Sequence, residues 1–268
     1  MSRPEKFIID GKRLDGRTPD QLRPIKIEVD YLKRADGSCY LEMGKNRVVA
    51  AVYGPREVHP RHLQDPTKAI IRYRYNMAPF SVEERKRPGP DRRSIEISKV
   101  SKEAFEAVIM KELFPRSAID IFVEVLQADA GSRTACINAA SVALVDAGIP
   151  MKGILTSVAV AKVDGVLVLD PMKEEDNYGE ADIPFAFLIR GGKIESIALL
   201  QMDGKMTKEE IKEAINLAKK GAMEIYQMQR EAIMKKFIEE GENEQRYPFR
   251  DKKRLCAFEA ERWREDRW

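Results

Sequence analysis

Gln127–Gly148 reads QADAGSRTACINAASVALVDAG, a polar turn Gly131-Ser132-Arg133 followed by an apolar stretch built almost wholly from small residues. The segment just before it, Ala118–Gln127, alternates. Ile119, Ile121, Val123 and Val125 fall on one face and Asp120, Phe122 and Glu124 on the other, which is the period of a half-buried strand. The local order is therefore strand, Gly-Ser-Arg, helix. Upstream, Ile97, Val100, Ala104, Ala107 and Val108 recur at helical spacing in a segment opened by Ser94 and expected to end near Phe114-Pro115. Further back, Ile25–Leu32, Ser38–Met43 and Arg47–Tyr53 are separated by turn residues in the manner of an antiparallel meander, and Ala69–Tyr75 is a further β-like run.

Downstream the theme repeats. Ile154–Val163 and Val166–Leu169 read as a hairpin around Asp164-Gly165, and Ile183–Ile189 and Ile194–Gln201 as two more strands. Thr207-Lys-Glu-Glu210 has the capping-box pattern ahead of a long helix with Ile211, Ile215, Ala218, Ala222 and Ile225 on one face. Strands followed by helix, twice, predict an α+β fold of two related halves, about 14–150 and 151–238 within a domain 1–238. Beyond about Glu239 the periodicity is lost, so 239–268 is expected to be a charged tail, mobile or a docking segment, holding Trp263 and Trp268.

Composition narrows the setting. A chain of 268 residues with 43% hydrophobic content is long enough to bury a sizeable core. Its 47 basic and 44 acidic side chains leave a net charge of only +3, so attraction to a polyanion has to come from clustering. Cys39, Cys136 and Cys256 are odd in number and lack zinc-ligand spacing, which argues for a reducing compartment. With neither a signal-peptide core nor an apolar run of spanning length, the expectation is a cytoplasmic protein away from membranes.

Two readings compete for Gly131-Ser132-Arg133. In the plain one, Ser132 caps a helix, Arg133 is solvated and the alanines allow close packing. In the other, the helix N-terminus is an anion site, with Gly131 allowing close approach and Arg133 supplying a two-pronged charge. Two further stretches favour the second. In EERKRPGPDRR, Glu83–Arg93, Arg92 and Arg93 sit where a helix dipole disfavours cations, and a bound anion would account for them. In LDPMKEEDNYGEADIP, Leu169–Pro184, Asp176 and Asp182 lie in what reads as a loop returning to a strand. An apolar strand directly after Asp182 predicts partial burial, a raised pKa and a carboxyl suited to donate a proton.

RRSIEISKV (92–100), LQADAGSR (126–133) and EEDNYGEAD (174–182), with YNMAPFSVEERKRPGPDRR (75–93), closely resemble the ribonuclease PH family, and within it the catalytic ring subunits of archaeal exosomes. The likeness runs from about Leu14 to Phe237. It implies a duplicated βαβα-type α+β fold with mixed and antiparallel sheets and packed helices. It implies phosphorolysis, in which inorganic phosphate as co-substrate attacks the 3′-terminal phosphodiester of single-stranded RNA and releases nucleoside diphosphates, reversibly. By matching positions, Arg93, Gly131, Ser132 and Arg133 would hold phosphate and Asp182 would be the general acid. Asp176 would assist it, with Mg2+ as an optional ion at Asp176 and Asp182. Arg61 and Arg92 would grip RNA. The implied partners are a related inactive subunit in a hexameric ring and RNA-binding cap proteins. Two rivals remain: a metal-dependent hydrolytic nuclease using Asp176, Glu180 and Asp182, and a non-catalytic ring subunit.

Overall fold

In the computed structural model, residues 6–9 and 11–246 are described, with side chains to residue 238. Strands β1 (Ile8–Ile9) and β2 (Lys12–Arg13) pair as a small hairpin. Strands β3 (Ile25–Val29), β4 (Gly37–Met43) and β5 (Asn46–Glu57) form the expected meander. Its β4–β5 turn is tight enough to need Gly44, whose φ of 59° favours glycine. Strand β6 (Ile70–Met77) then leads through helix α1 (Arg92–Val108) to β7 (Ser117–Gln127). Because β6 and β7 are joined by this crossover, they pair parallel, and the sheet order is β3-β4-β5-β7-β6. The alternation in β7 is realised, with Ile119, Ile121, Val123 and Val125 all buried.

Helix α2 (Ser132–Asp146) follows, and then β8 (Ile154–Val163) and β9 (Val166–Leu169). A six-residue helix α3 (Lys173–Tyr178) precedes β10 (Ala181–Arg190), β11 (Lys193–Leu200), β12 (Asp203–Gly204) and helix α4 (Lys208–Arg246). The second sheet is antiparallel, ordered β11-β10-β8-β9, with β12 also on β10. The capping box at the head of α4 forms as predicted: Thr207 N donates to Glu210 Oε2 at 2.7 Å and Glu210 N to Thr207 Oγ1 at 3.3 Å.

The small residues of α2 are explained by its place between the sheets. It packs on β4, β5 and β7 of one and on β8 and β10 of the other, and only Arg133 and Val145 of the helix escape full burial. Strand β4 runs so close that a Cβ on Gly37 would collide with the backbone of Ala143 and Ala147. A polar seam stitches the helix to β8 and α4. Asn138 exchanges two bonds with Ser157, at 2.8 and 2.7 Å, and Gln229 links Thr156 (2.7 Å) to the Asn138 carbonyl (3.2 Å). One hydrophobic core runs through both halves, joining Leu41, Val52 and Ile121 to Leu155, Phe185, Phe187 and Ile225.

Three expectations change. Helix α1 stops at Val108 rather than near Phe114, because Ile109 turns extended and bridges Met151; a single 3-10 turn, Lys111–Leu113, follows. Asp176 belongs to α3 and Asp182 to β10, so neither lies in a loop. Helix α4 continues past Glu239 to Arg246, and the expected tail from 247 onward, with Trp263 and Trp268, lies outside the described residues. Among the described residues no helix is long and apolar enough to cross a membrane.

Candidate active site

Two helix N-termini converge at one end of the first sheet. Gly131, in the left-handed region at φ 71°, is the N-cap of α2, which makes Ser132 the first helical residue rather than the cap. No side chain caps this end and no acidic residue occupies its first turn, so its amides remain free to meet an anion. Ser132 is buried with its Oγ 2.9 Å from the Tyr75 hydroxyl. Arg133 is half-buried, bonded through Nη1 to Gln201 Oε1, with Nη2 3.7 Å from Glu96. Helix α1 is capped by Asp91, which accepts from Ser94 N at 2.7 Å while Ser94 Oγ accepts from Asp91 N at 2.9 Å. Arg92 and Arg93 are the first two residues of that helix and both are exposed.

Opposite this cationic end lie two carboxylates. Burial pushes the Asp182 carboxyl up to about 7; the neighbouring Asp176 charge adds to the rise, while Arg133 and Arg93 oppose it. Asp182 Oδ1 is buried without a hydrogen-bond partner among the described residues, and the backbone around it is fixed by pairing of Asp182 with Ala161 on β8 and Asp203 on β12. Asp176 is also raised by burial, with Arg93, Arg23 and Arg133 pulling it back down. The field of the two arginines thus reaches both acids, and Arg93, Arg133, Ser132, Asp176 and Asp182 form one cluster. The raised acid at Asp182 was legible in the sequence; the burial of Asp176 was not, because a six-residue helix leaves no periodicity to read.

A layer of buried arginines beneath this cluster had no sequence signal. Arg23 fits Asp170 in a two-pronged bond, Nε to Oδ2 at 2.9 Å and Nη2 to Oδ1 at 2.6 Å. The same guanidinium reaches Asp129 Oδ2 at 3.1 Å and the Ala130 carbonyl at 3.0 Å, the two residues just before Gly131. Asn46 holds the same turn, giving Nδ2 to Ala130 O at 2.6 Å and accepting from Asp129 N at 2.7 Å. Arg13, fully buried, pairs with the fully buried Glu175 and donates to the carbonyls of Leu169 (2.7 Å) and Asp170 (3.0 Å). Glu175 also accepts from Met172 N at 2.9 Å, closing the first turn of α3 beside Asp176. Arg23 therefore ties the turn before Gly131 to Asp170, and Arg13 ties Asp170 to the helix carrying Asp176.

Arg61 is placed elsewhere. It sits in the 3-10 turn Arg61–Leu63, 84% exposed and 3.8 Å from Glu57. It lines an open groove of about 740 Å³ with Arg56, Gln64, Leu113 and Arg116. Ser117, the first residue of β7, also borders this groove, whereas the cluster lies past its last residue, Gln127. The strand's rise separates the two regions by roughly 30 Å. Glu180, the third carboxylate of the hydrolytic alternative, faces Lys162 (3.1 Å) and Gly165 N (2.8 Å). Among the described residues no group of three His, Cys, Asp or Glu is placed to hold a metal ion.

The chain is thus a mixed α+β protein of two sheets that sets two arginines and an uncapped helix end across from two partly buried carboxyls. Sequence comparison makes this specific. The model of the 3′ exoribonuclease family, domain 1, matches residues 21–150, and that of domain 2 matches 153–221. The chain belongs to the ribonuclease PH family. It is 84% identical over 240 residues to the Exosome complex component Rrp41 of Archaeoglobus fulgidus, covering 90% of this chain and 93% of that protein. To the Exosome complex component Rrp41 of Methanopyrus kandleri it is 64% identical over 236 residues, covering 88% and 98%. The crystal structure of rice (Oryza sativa) Rrp46 superposes with a TM-score of 0.75 at 24% identity, covering 83% of this chain and all of that one, which speaks for the fold alone.

Proposed function

We propose that this chain is a phosphate-dependent 3′-to-5′ exoribonuclease that shortens single-stranded RNA by phosphorolysis. The observation that carries the reading is the facing of Arg93, Arg133 and the uncapped α2 end by an acid whose carboxyl is held near neutral pH. An oxygen of inorganic phosphate attacks the terminal phosphorus, the bond from that phosphorus to the 3′ oxygen breaks, and a nucleoside diphosphate leaves with both phosphorus atoms. Arg93, Arg133, Ser132 Oγ and its amide hold the attacking phosphate, offsetting the repulsion between two anionic centres. Protonated Asp182 gives its proton to the departing 3′ oxygen, and Asp176 keeps the Asp182 carboxyl protonated by its nearby charge. In reverse, Asp182 as carboxylate takes the proton from a 3′ hydroxyl and a nucleotide is added. Asp176 and Asp182 are the residues that would hold a Mg2+ ion, which takes one or two carboxylates together with water and substrate phosphates and would there help to neutralise the phosphate charge.

The family relatives named as exosome components extend the reading to the assembly: an active subunit alternating with a related inactive one in a hexameric ring, beneath RNA-binding cap proteins, in the cytoplasm. Exposed Arg61 and Arg92 would then guide the strand toward the cluster from outside it. The test is to incubate the purified protein, with and without its presumed ring partner, on single-stranded RNA with and without phosphate. Nucleoside diphosphates formed only with phosphate are expected; monophosphates, or full activity without phosphate, would overturn the reading.

A further inference from the structure

Tyr75 lies in β6, only 2% exposed, between the two helix ends of the site. Its hydroxyl is 2.9 Å from Ser132 Oγ at the head of α2. Its backbone amide donates to Ser98 Oγ of α1 at 3.0 Å, and Ser98 Oγ donates at 2.6 Å to the carbonyl of Ser94, in the turn that carries Arg92 and Arg93. One residue therefore contacts both helices, and both Arg93 and Arg133 act electrostatically on its hydroxyl. Burial raises the phenol well above its ordinary range, so it is a proton donor at every working pH.

The direction of the Tyr75–Ser132 bond follows from what each oxygen can do. A phosphate oxygen in its ionised form only accepts, so Ser132 must spend its single proton on the anion. The lone pairs of Ser132 Oγ are then left for the Tyr75 O–H, which fixes the serine rotor with its proton toward the anion end. We propose that Tyr75 is a positioning residue for the attacking phosphate, acting through the Ser132 hydroxyl without touching the substrate. The inference rests on the phosphorolytic reading above.

Tyr75→Phe removes only the hydroxyl and keeps the buried ring. Phosphate KM, kcat, RNA affinity and melting temperature are measured for wild type, Tyr75→Phe, Ser132→Ala and the double variant, each as the full chain assembled with its ring partner. Losing one oriented hydrogen bond raises phosphate KM about fivefold in Tyr75→Phe, with kcat held within about twofold. In the Ser132→Ala background the same change alters phosphate KM by less than about 1.5-fold, because its target is gone. An equal effect in both backgrounds, or a fall in kcat that tracks melting temperature at constant KM, overturns the inference and leaves Tyr75 as packing alone. Wild type that degrades RNA without phosphate overturns the phosphorolytic reading and this inference with it. Phosphate-dependent wild type with an unmoved Tyr75→Phe overturns this inference only.

Discussion

At Asp182 two opposing requirements meet: a carboxyl that gives up a proton must first hold one, and burial beside Asp176 raises its pKa to about 7. Asp182→Asn keeps size and polarity but cannot donate, so the assembled protein should bind RNA at least as well as wild type while its single-turnover rate falls on the order of a hundredfold or more. Near-normal cleavage by that variant would remove Asp182 from the acid role. The pH dependence has a definite sign. Forward kcat/KM should decline as pH rises past about 7, and the reverse, nucleotide-adding reaction should decline below it, since it needs the carboxylate. Stability follows the same group. With a folded pKa above the ordinary 3.8, the native state binds the extra proton, so Asp182 lowers stability progressively as pH climbs from about 4 to about 7 and adds no slope beyond. Melting temperatures of wild type and Asp182→Asn across that window should therefore diverge, and parallel curves would contradict the raised pKa. Asp182 announced itself in the sequence by its place before an apolar strand. Tyr75 and Arg23 did not, because their partners are 57 and 147 residues away and no local pattern encodes such pairs.

Among the elements, α3 is the least self-sufficient. Six residues cannot sustain a helix by themselves, and what holds it is Glu175, closed onto the Met172 amide and paired with Arg13 out of contact with water. Arg13→Ala leaves an unpaired buried carboxylate and should cost about 3–5 kcal/mol. Arg13→Met combined with Glu175→Met should recover part of that loss by removing the orphaned charge. Denaturant midpoints of the two variants decide the matter: a double variant no better than Arg13→Ala would mean that the carbonyls of Leu169 and Asp170, not the ion pair, make Arg13 indispensable. Helix α1 teaches the complementary lesson. Its start, expected at Ser94, lies two residues earlier at Arg92 because Asp91 caps it, and its end was set by Ile109 joining Met151, a contact made only once the fold has closed.

For the molecule as a whole, the alternation of strands and helices gave two related halves, and two sheets with a helix between them are what the chain forms. The parallel β6–β7 pair left no mark in the side-chain period of either strand; it follows from the helical crossover between them. The halves share one core and the Asn138–Ser157–Gln229 seam. A fragment of residues 14–150 would leave the β8-facing side of α2, with Asn138 and Ser141, exposed and unpartnered. Such a fragment should show no cooperative thermal transition by circular dichroism, and regain one when mixed with 151–246. A fragment that melts cooperatively on its own would show the halves to be independent folding units.

The closeness of β4 to α2 also fixes how much sequence change that helix can accept. With Gly37 against the backbone of Ala143 and Ala147, and sheets on both sides, the fully buried face of α2 has little room for side chains larger than those it carries. In a library randomised at Ala139, Ala140 and Ala143, survivors of a selection for activity should be confined to glycine, alanine, serine and cysteine, whereas Val145 on the same helix should admit many residues. The short side chains that made the segment conspicuous are thus a tolerance limit, fixed by the spacing of the layers around them.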